Sequence, residues 1–267
     1  MKNVPKTLSS ISKQMLHMVT QLNSKRFDIV FDQYFSPSIK DYERSLRHES
    51  TPLGFIITTP DQVRPSDLAK ELKNIRFKQA LVDFFILHWS TEEMVPFMNN
   101  KNIVVNFKKC HSFTVANNTV VSNIDENLTC TDLEEADTKI IHHIYNIDAQ
   151  TNFVRCSDTA AIMLGNMRHL KNNDYHVWIL TGIVHKVKYI DITKVYEQLG
   201  NSLSCCLPGF HTITGCDYNI AFFKKDNYII YFTEEDTKDA DEDNKDIQYQ
   251  HWIDDEISNL NDDNNED

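Results

Sequence analysis

From residue 134 onward the chain alternates helix-like and strand-like segments, and this alternation constrains the fold more than any other feature. A helix is predicted over 134–147, with Ile140, Ile141 and Ile144 on its apolar side. A strand follows at 152–156, then a short helix in AIMLGNMRHL (161–170) and a strand in VWIL (177–180). A strand or turn near 187–190 leads into a helix at 193–199. Helices alternating with strands predict a parallel α/β sheet with right-handed crossovers.

The first half is more helical. Residues 9–23 place Ile11, Met15, Met18 and Val19 at helical spacing, and DIVF (28–31) reads as a buried strand. Ser66 is the expected N-cap of DLAKELKNI. The run QALVDFFILHW (79–89) is a strongly apolar helix whose Phe84, Phe85, Leu87 and Trp89 read as core, and 91–98 adds a short helix. NIVVNF (102–107) reads as a strand, with one more short strand inside 113–121. The segment 48–100 lacks strands and is expected to be a helical insertion or lid within an α/β domain spanning 1–232.

Acidic residues recur where strands give way to helices or turns. Asp32 closes FDIVFD, Glu135 and Asp137 sit in EEADT, Asp158 follows FVRC, and Asp217 sits in TGCDYN. Each has an ordinary structural reading. Thr131 and Glu134 have the spacing of a capping box, Asp158 that of an N-cap, and Asp32 and Asp217 that of turn residues. Together, at the carboxyl ends of strands in one α/β order, they are candidate ligands for hard divalent cations. Glu135 and Asp137 are two apart, so they converge only if Glu135 lies at or before the first helical turn.

The pieces VFDQYFSPSIKDYER (30–44), EEADTKIIHH (134–143), CSDTAAIML (156–164), YIDITKVYEQLG (189–200) and LPGFHTITGCDYNIAFFKK (207–225) together resemble the PIN-like, flap-endonuclease-type nuclease superfamily. The resemblance is nearest to uncharacterised, mobile-element-associated invertebrate proteins of that kind and covers most of residues 26–225. It implies a three-layer, Rossmann-like α/β domain. It also implies two Mg²⁺ or Mn²⁺ ions held by Asp32, Glu135, Asp137, Asp158 and Asp217, and hydrolysis of a phosphodiester in DNA or RNA. The chain departs from the pattern twice. Ala160 stands where the pattern has a carboxylate, and no strand ending in an acidic residue precedes residue 26, so the resemblance implies an N-terminally truncated domain. Both departures favour a degenerate relative over an active endonuclease or exonuclease.

Charge bears on partners. The net charge is −12, but residues 233–267 hold 15 of the 39 acidic side chains and two of the 27 basic ones. That tail is expected to be disordered, and a non-catalytic interaction module binding basic proteins through it is a further reading. A nearly neutral body weakens the nucleic-acid readings, since phosphate affinity needs clustered cations. Lys40, Arg44 and Arg47 form one candidate phosphate-facing series. No run approaches the roughly 20 apolar residues of a membrane span, and no secretory signal is evident. Six cysteines without metal-ligand spacing are expected to be free thiols in an intracellular setting, nucleus or cytoplasm. Six glycines leave no Gly-rich phosphate loop.

Overall fold

Among the described residues, two mixed β-sheets, of four and three strands, organise the fold. The computed structural model describes residues 5–35, 54–147, 151–156, 159–170, 175–181 and 188–214. In the first sheet β1 (Arg26–Val30) runs parallel to β2 (Asn102–Asn106), which pairs antiparallel with β3 (Cys110–Ala116), and β3 with β4 (Thr119–Ile124). In the second, β5 (Thr151–Arg155) is parallel to β6 (His176–Thr181), and β7 (Lys188–Asp191) is antiparallel to β6.

The α/β class is as expected, but the sheets are not uniformly parallel. Only residues 107–109 separate β2 from β3, too few for a crossover, so the chain returns antiparallel. The β3–β4 turn is tighter still. Asn117 and Asn118 both take left-handed conformations, φ 51° and 60°, which match the twist of a two-residue hairpin. The single short strand expected in 113–121 is therefore this hairpin. The disordered-tail expectation for 233–267 and the Lys40–Arg44–Arg47 series lie outside the described residues.

Strand alternation gives the first sheet two different faces. Phe27, Ile29, Ile103, Val105 and Phe113 turn toward α1 (Leu8–Thr20) and toward the helices α2 (Leu68–Glu71), α3 (Ile75–Trp89) and α4 (Val95–Met98). Helix α3 is integral to this core. Phe77, Leu81, Phe84, Phe85 and Trp89 are buried, Phe85 stacks on Trp89 with ring centroids 5.6 Å apart, and only Leu87 of the expected apolar stripe points outward. Asp67, not Ser66, caps α2, because its carboxylate reaches the Lys70 N–H at 3.0 Å.

A polar knot ties α1 to α3 inside this core. The Trp89 indole N–H donates to Ser12 Oγ at 2.8 Å, and Ser12 Oγ lies 2.9 Å from His88 Nδ1. His88 Nε2 faces Ser9 Oγ at 3.5 Å and Glu93 at 3.4 Å, and Glu93 is paired with Lys13. Burial holds the His88 pKa below its ordinary value, against the opposing pull of Glu93.

The second sheet buries Val154, Val177 and Ile179 against α5 (Ala136–Asn146), α6 (Ala160–Asn166) and α7 (Ile192–Thr214). Helix α7 breaks at Gly200, whose φ of 74° and ψ of 166° are non-helical, and then continues well beyond the expected 193–199. Helices α6 and α7 meet at Gly165. A Cβ there would lie 2.3 Å from Pro208 Cγ and 3.3 Å from the Ser204 carbonyl oxygen.

Gly165→Ala is expected to destabilise the protein by about 1–3 kcal/mol in urea unfolding, because a methyl group must be forced into a closed contact. The cost should be smaller in a Pro208→Ala background, and equal costs in both backgrounds would count against this contact. The His88 shift has a definite sign. As pH falls below about 6.5 the unfolded chain takes up a proton that folded His88 does not, so stability is present at neutral pH and declines on acidification. His88→Gln should flatten that part of the thermal-stability profile between pH 7.5 and 5.

Candidate functional site

The first turn of α5 is built by residues distant in sequence. Glu135 occupies the N-cap in an extended conformation, φ −83° and ψ 135°, and its side chain makes no capping bond. The capping box expected from Thr131 and Glu134 does not form. Thr131 Oγ1 donates to Asp132 at 3.2 Å, and Glu134 Oε1 is buried without a hydrogen-bond partner among the described residues. The cap comes instead from the end of β1. Asp32 Oδ1 accepts the Ala136 N–H at 2.8 Å, and the Gln33 N–H donates to the Glu134 carbonyl at 2.7 Å. Lys139, fully buried one turn along, donates to the Phe31 carbonyl at 3.0 Å and to Gln33 Oε1 at 2.6 Å.

Asp137 lies in the first turn of α5, where the helix dipole favours an anion. Its Oδ1 accepts from Thr159 Oγ1 at 2.7 Å. Thr159 is fully buried at the N-cap of α6, immediately before Ala160. The extended Glu135 meets the condition for Glu135 and Asp137 to share one edge. The structure thus brings Asp32, Glu135 and Asp137 to one helix start beside Thr159. Asp158 and Asp217 lie outside the described residues. A cleft of about 270 Å³ opens beside this edge, lined among others by Asp32, Tyr34, Lys78, Gln79, Phe107 and Ala136.

These donors do not by themselves fit a divalent ion. Among the described residues no three His, Cys, Asp or Glu side chains group closely enough to hold a metal. One Asp32 oxygen is committed to a backbone amide and one Asp137 oxygen to a hydroxyl.

A second polar cluster lies deeper on the same face of β1. Arg26 Nε and Nη2 donate to Asp28 at 2.7 and 3.0 Å, and His143 Nδ1 lies 2.7 Å from Asp28 Oδ2. Asn106 Nδ2 contacts His143 Nε2 at 2.7 Å and the Leu128 carbonyl at 2.6 Å. An amide nitrogen facing a carbonyl must donate, so Nε2 of His143 accepts and Nδ1–H points at Asp28. Asn106 Oδ1 is buried without a hydrogen-bond partner among the described residues. Burial raises the Asp28 pKa, but the His143 and Arg26 hydrogen bonds outweigh it and hold the carboxyl below its ordinary value. The Asp28 hydrogen bond raises that of Arg26. Cys110 and Cys130 are buried nearby, and burial pushes the Cys110 thiol up to about 12.

The strand-end pattern overlooks the Asp28–His143 pair. The available signal is an acid inside an apolar strand, two residues after Arg26, which a buried position can tolerate only with partners. His142, by contrast, is half-exposed and lies 3.0 Å from the Asn127 carbonyl, away from Asp28.

Comparison with known proteins finds no matching family model, no matching curated protein and no matching solved structure. No described helix is long and apolar enough to cross a membrane.

Asp28→Asn is expected to cost about 2 kcal/mol at pH 7, the scale of hydrogen bonds to a charged group. The contribution of Asp28 is fully present above its ordinary pKa of 3.8 and is lost as pH falls through the lower folded value. Urea unfolding of both proteins should show the gap closing below about pH 4. A gap that stayed constant down to pH 2 would contradict the ionised pairing.

Proposed function

We propose that this chain is a degenerate relative of the metal-dependent PIN-like nucleases, with phosphodiester hydrolysis as its ancestral chemistry and catalysis weakened or lost. The observation that carries the reading is the junction of α5 and α6. There Asp32, Glu135 and Asp137 share an edge with Thr159, and the next residue, Ala160, is a methyl group where the family pattern has a carboxylate. Removing one hard oxygen donor and one negative charge weakens a site for Mg²⁺ or Mn²⁺ more than any change in its surroundings. What remains supports a structural role for the acids. Asp32 caps α5, and Asp137 joins α5 to α6.

A cleft with Lys78, Gln79 and Tyr34 beside Asp32 leaves room for a phosphate-bearing ligand next to this edge. An active nuclease would require Asp158 and Asp217 to complete the donor set, and an interaction module would act through the acidic tail instead.

Titration calorimetry of the full 267-residue chain with Mn²⁺ tests the proposal. The unmodified chain is expected to bind weakly or not at all, and Ala160→Asp to tighten binding by about tenfold or more through the added ligand charge. Asp137→Ala in the Ala160→Asp background should abolish the gain. Failure of Ala160→Asp to recruit Mn²⁺ would sink the assignment of this edge as an ancestral metal site. Strong binding and DNA or RNA cleavage by the unmodified chain would instead make it an active nuclease.

A further inference from the structure

Among the described residues, the three-stranded sheet β5–β6–β7 has one face in the core and one open. Val154, Val177, Ile179 and Ile190 face the helices. The alternate positions point the other way: Phe153 and Arg155 on β5, His176 and Trp178 on β6, and Tyr189 on β7. None of them joins a hydrophobic core. Phe153 is 63% and Tyr189 61% exposed, Arg155 and His176 are exposed, and Trp178 is half-buried. Register sets Phe153 beside Trp178, and Arg155 in the row of Leu180 and Tyr189.

We propose that this open face binds single-stranded nucleic acid, with bases stacked on Phe153, Trp178 and Tyr189 and phosphates met by Arg155 and His176. Three aromatic side chains stand on adjacent strands of one face, and unpaired bases offer π-faces to such side chains whatever their sequence. An aromatic side chain held out in water at this exposure leaves a large apolar area without a partner. Protein interfaces also use Phe, Trp, Tyr and Arg, so the rings alone do not choose the occupant; basic side chains set among them favour a phosphate-bearing one. Here Arg155 shares the strand with Phe153, and His176 shares one with Trp178. Asp191 is the one acid among the described residues of this face. Its Oδ1 accepts the Lys194 N–H at 3.1 Å, and Lys194 Nζ lies 3.5 Å from Oδ2, so its charge is offset. Strand β5 also leads to the carboxylate edge, since Thr159, which holds Asp137, lies four residues beyond Arg155.

The surface needs no metal, so its fate and that of the preceding proposal are separable. Binding of fluorescein-labelled oligo(dT) and oligo(U), about 12 nucleotides long, would be followed by anisotropy on the full chain in EDTA. The oligomers are expected to bind at low salt and to weaken as salt rises. Phe153→Ala/Tyr189→Ala should weaken binding by about tenfold or more through lost stacking. Arg155→Ala should reduce the salt slope by about one. Leu87→Ala, an equally exposed apolar residue on α3, should leave binding unchanged, and circular dichroism should show every variant folded. Absence of binding, or binding indifferent to the double variant, would overturn the proposal. So would self-association that the double variant abolishes without any oligonucleotide binding, which would assign the face to a second copy of the chain.

Discussion

Helix α5 is the joint on which the two sheets depend. Its residues Lys139 and His143, one turn apart, reach into the first sheet and are both buried. Ile140 and Ile144, one position further round, enter the core of the second. Apolar packing alone would let such a helix slide or rotate between two cores. The polar contacts fix it: the Asp32 cap at its start, Lys139 on the Phe31 carbonyl, and His143 on Asp28. Burying a cation and a carboxylate is costly unless each finds directed partners, so these bonds specify one register for α5 more than they add net stability.

The same arrangement gives an acid just beyond a strand a structural role that needs no chemistry. Asp32 sits two residues beyond β1 and accepts the first amide of α5, which is the work of an N-cap. Glu135 holds the N-cap position itself by its extended backbone.

Much of the fold is legible in the sequence, and the gaps have physical causes. The apolar runs that become β1, β2, β5 and β6 and the helical periods of α1, α3 and α5 stand out, because burial dictates residue type at regular spacing. The β3–β4 hairpin is harder to see. Its turn is Asn-Asn instead of the stronger Asn-Gly signal, and most of β4 is not buried. Antiparallel pairing of β7 depends on a partner choice that no local pattern encodes. At the candidate site the convergence of Glu135 with Asp137 hinges on one backbone conformation at residue 135. The Arg26–Asp28–His143–Asn106 cluster joins four residues from three elements, a relation visible only after folding.

Cys110 lies on β3, fully buried against the face of the sheet that carries Asp28. Burial pushes its thiol up to about 12, so it carries almost no thiolate near neutral pH, and burial also keeps reagents away. An alkylating reagent therefore meets Cys110 only when the first sheet comes apart. The half-exposed Cys205 and the exposed Cys206 on α7 are within a reagent's reach while the protein stays folded. These thiols are thus built-in chemical reporters, Cys205 and Cys206 for the surface of a helix and Cys110 for the opening of the four-stranded sheet.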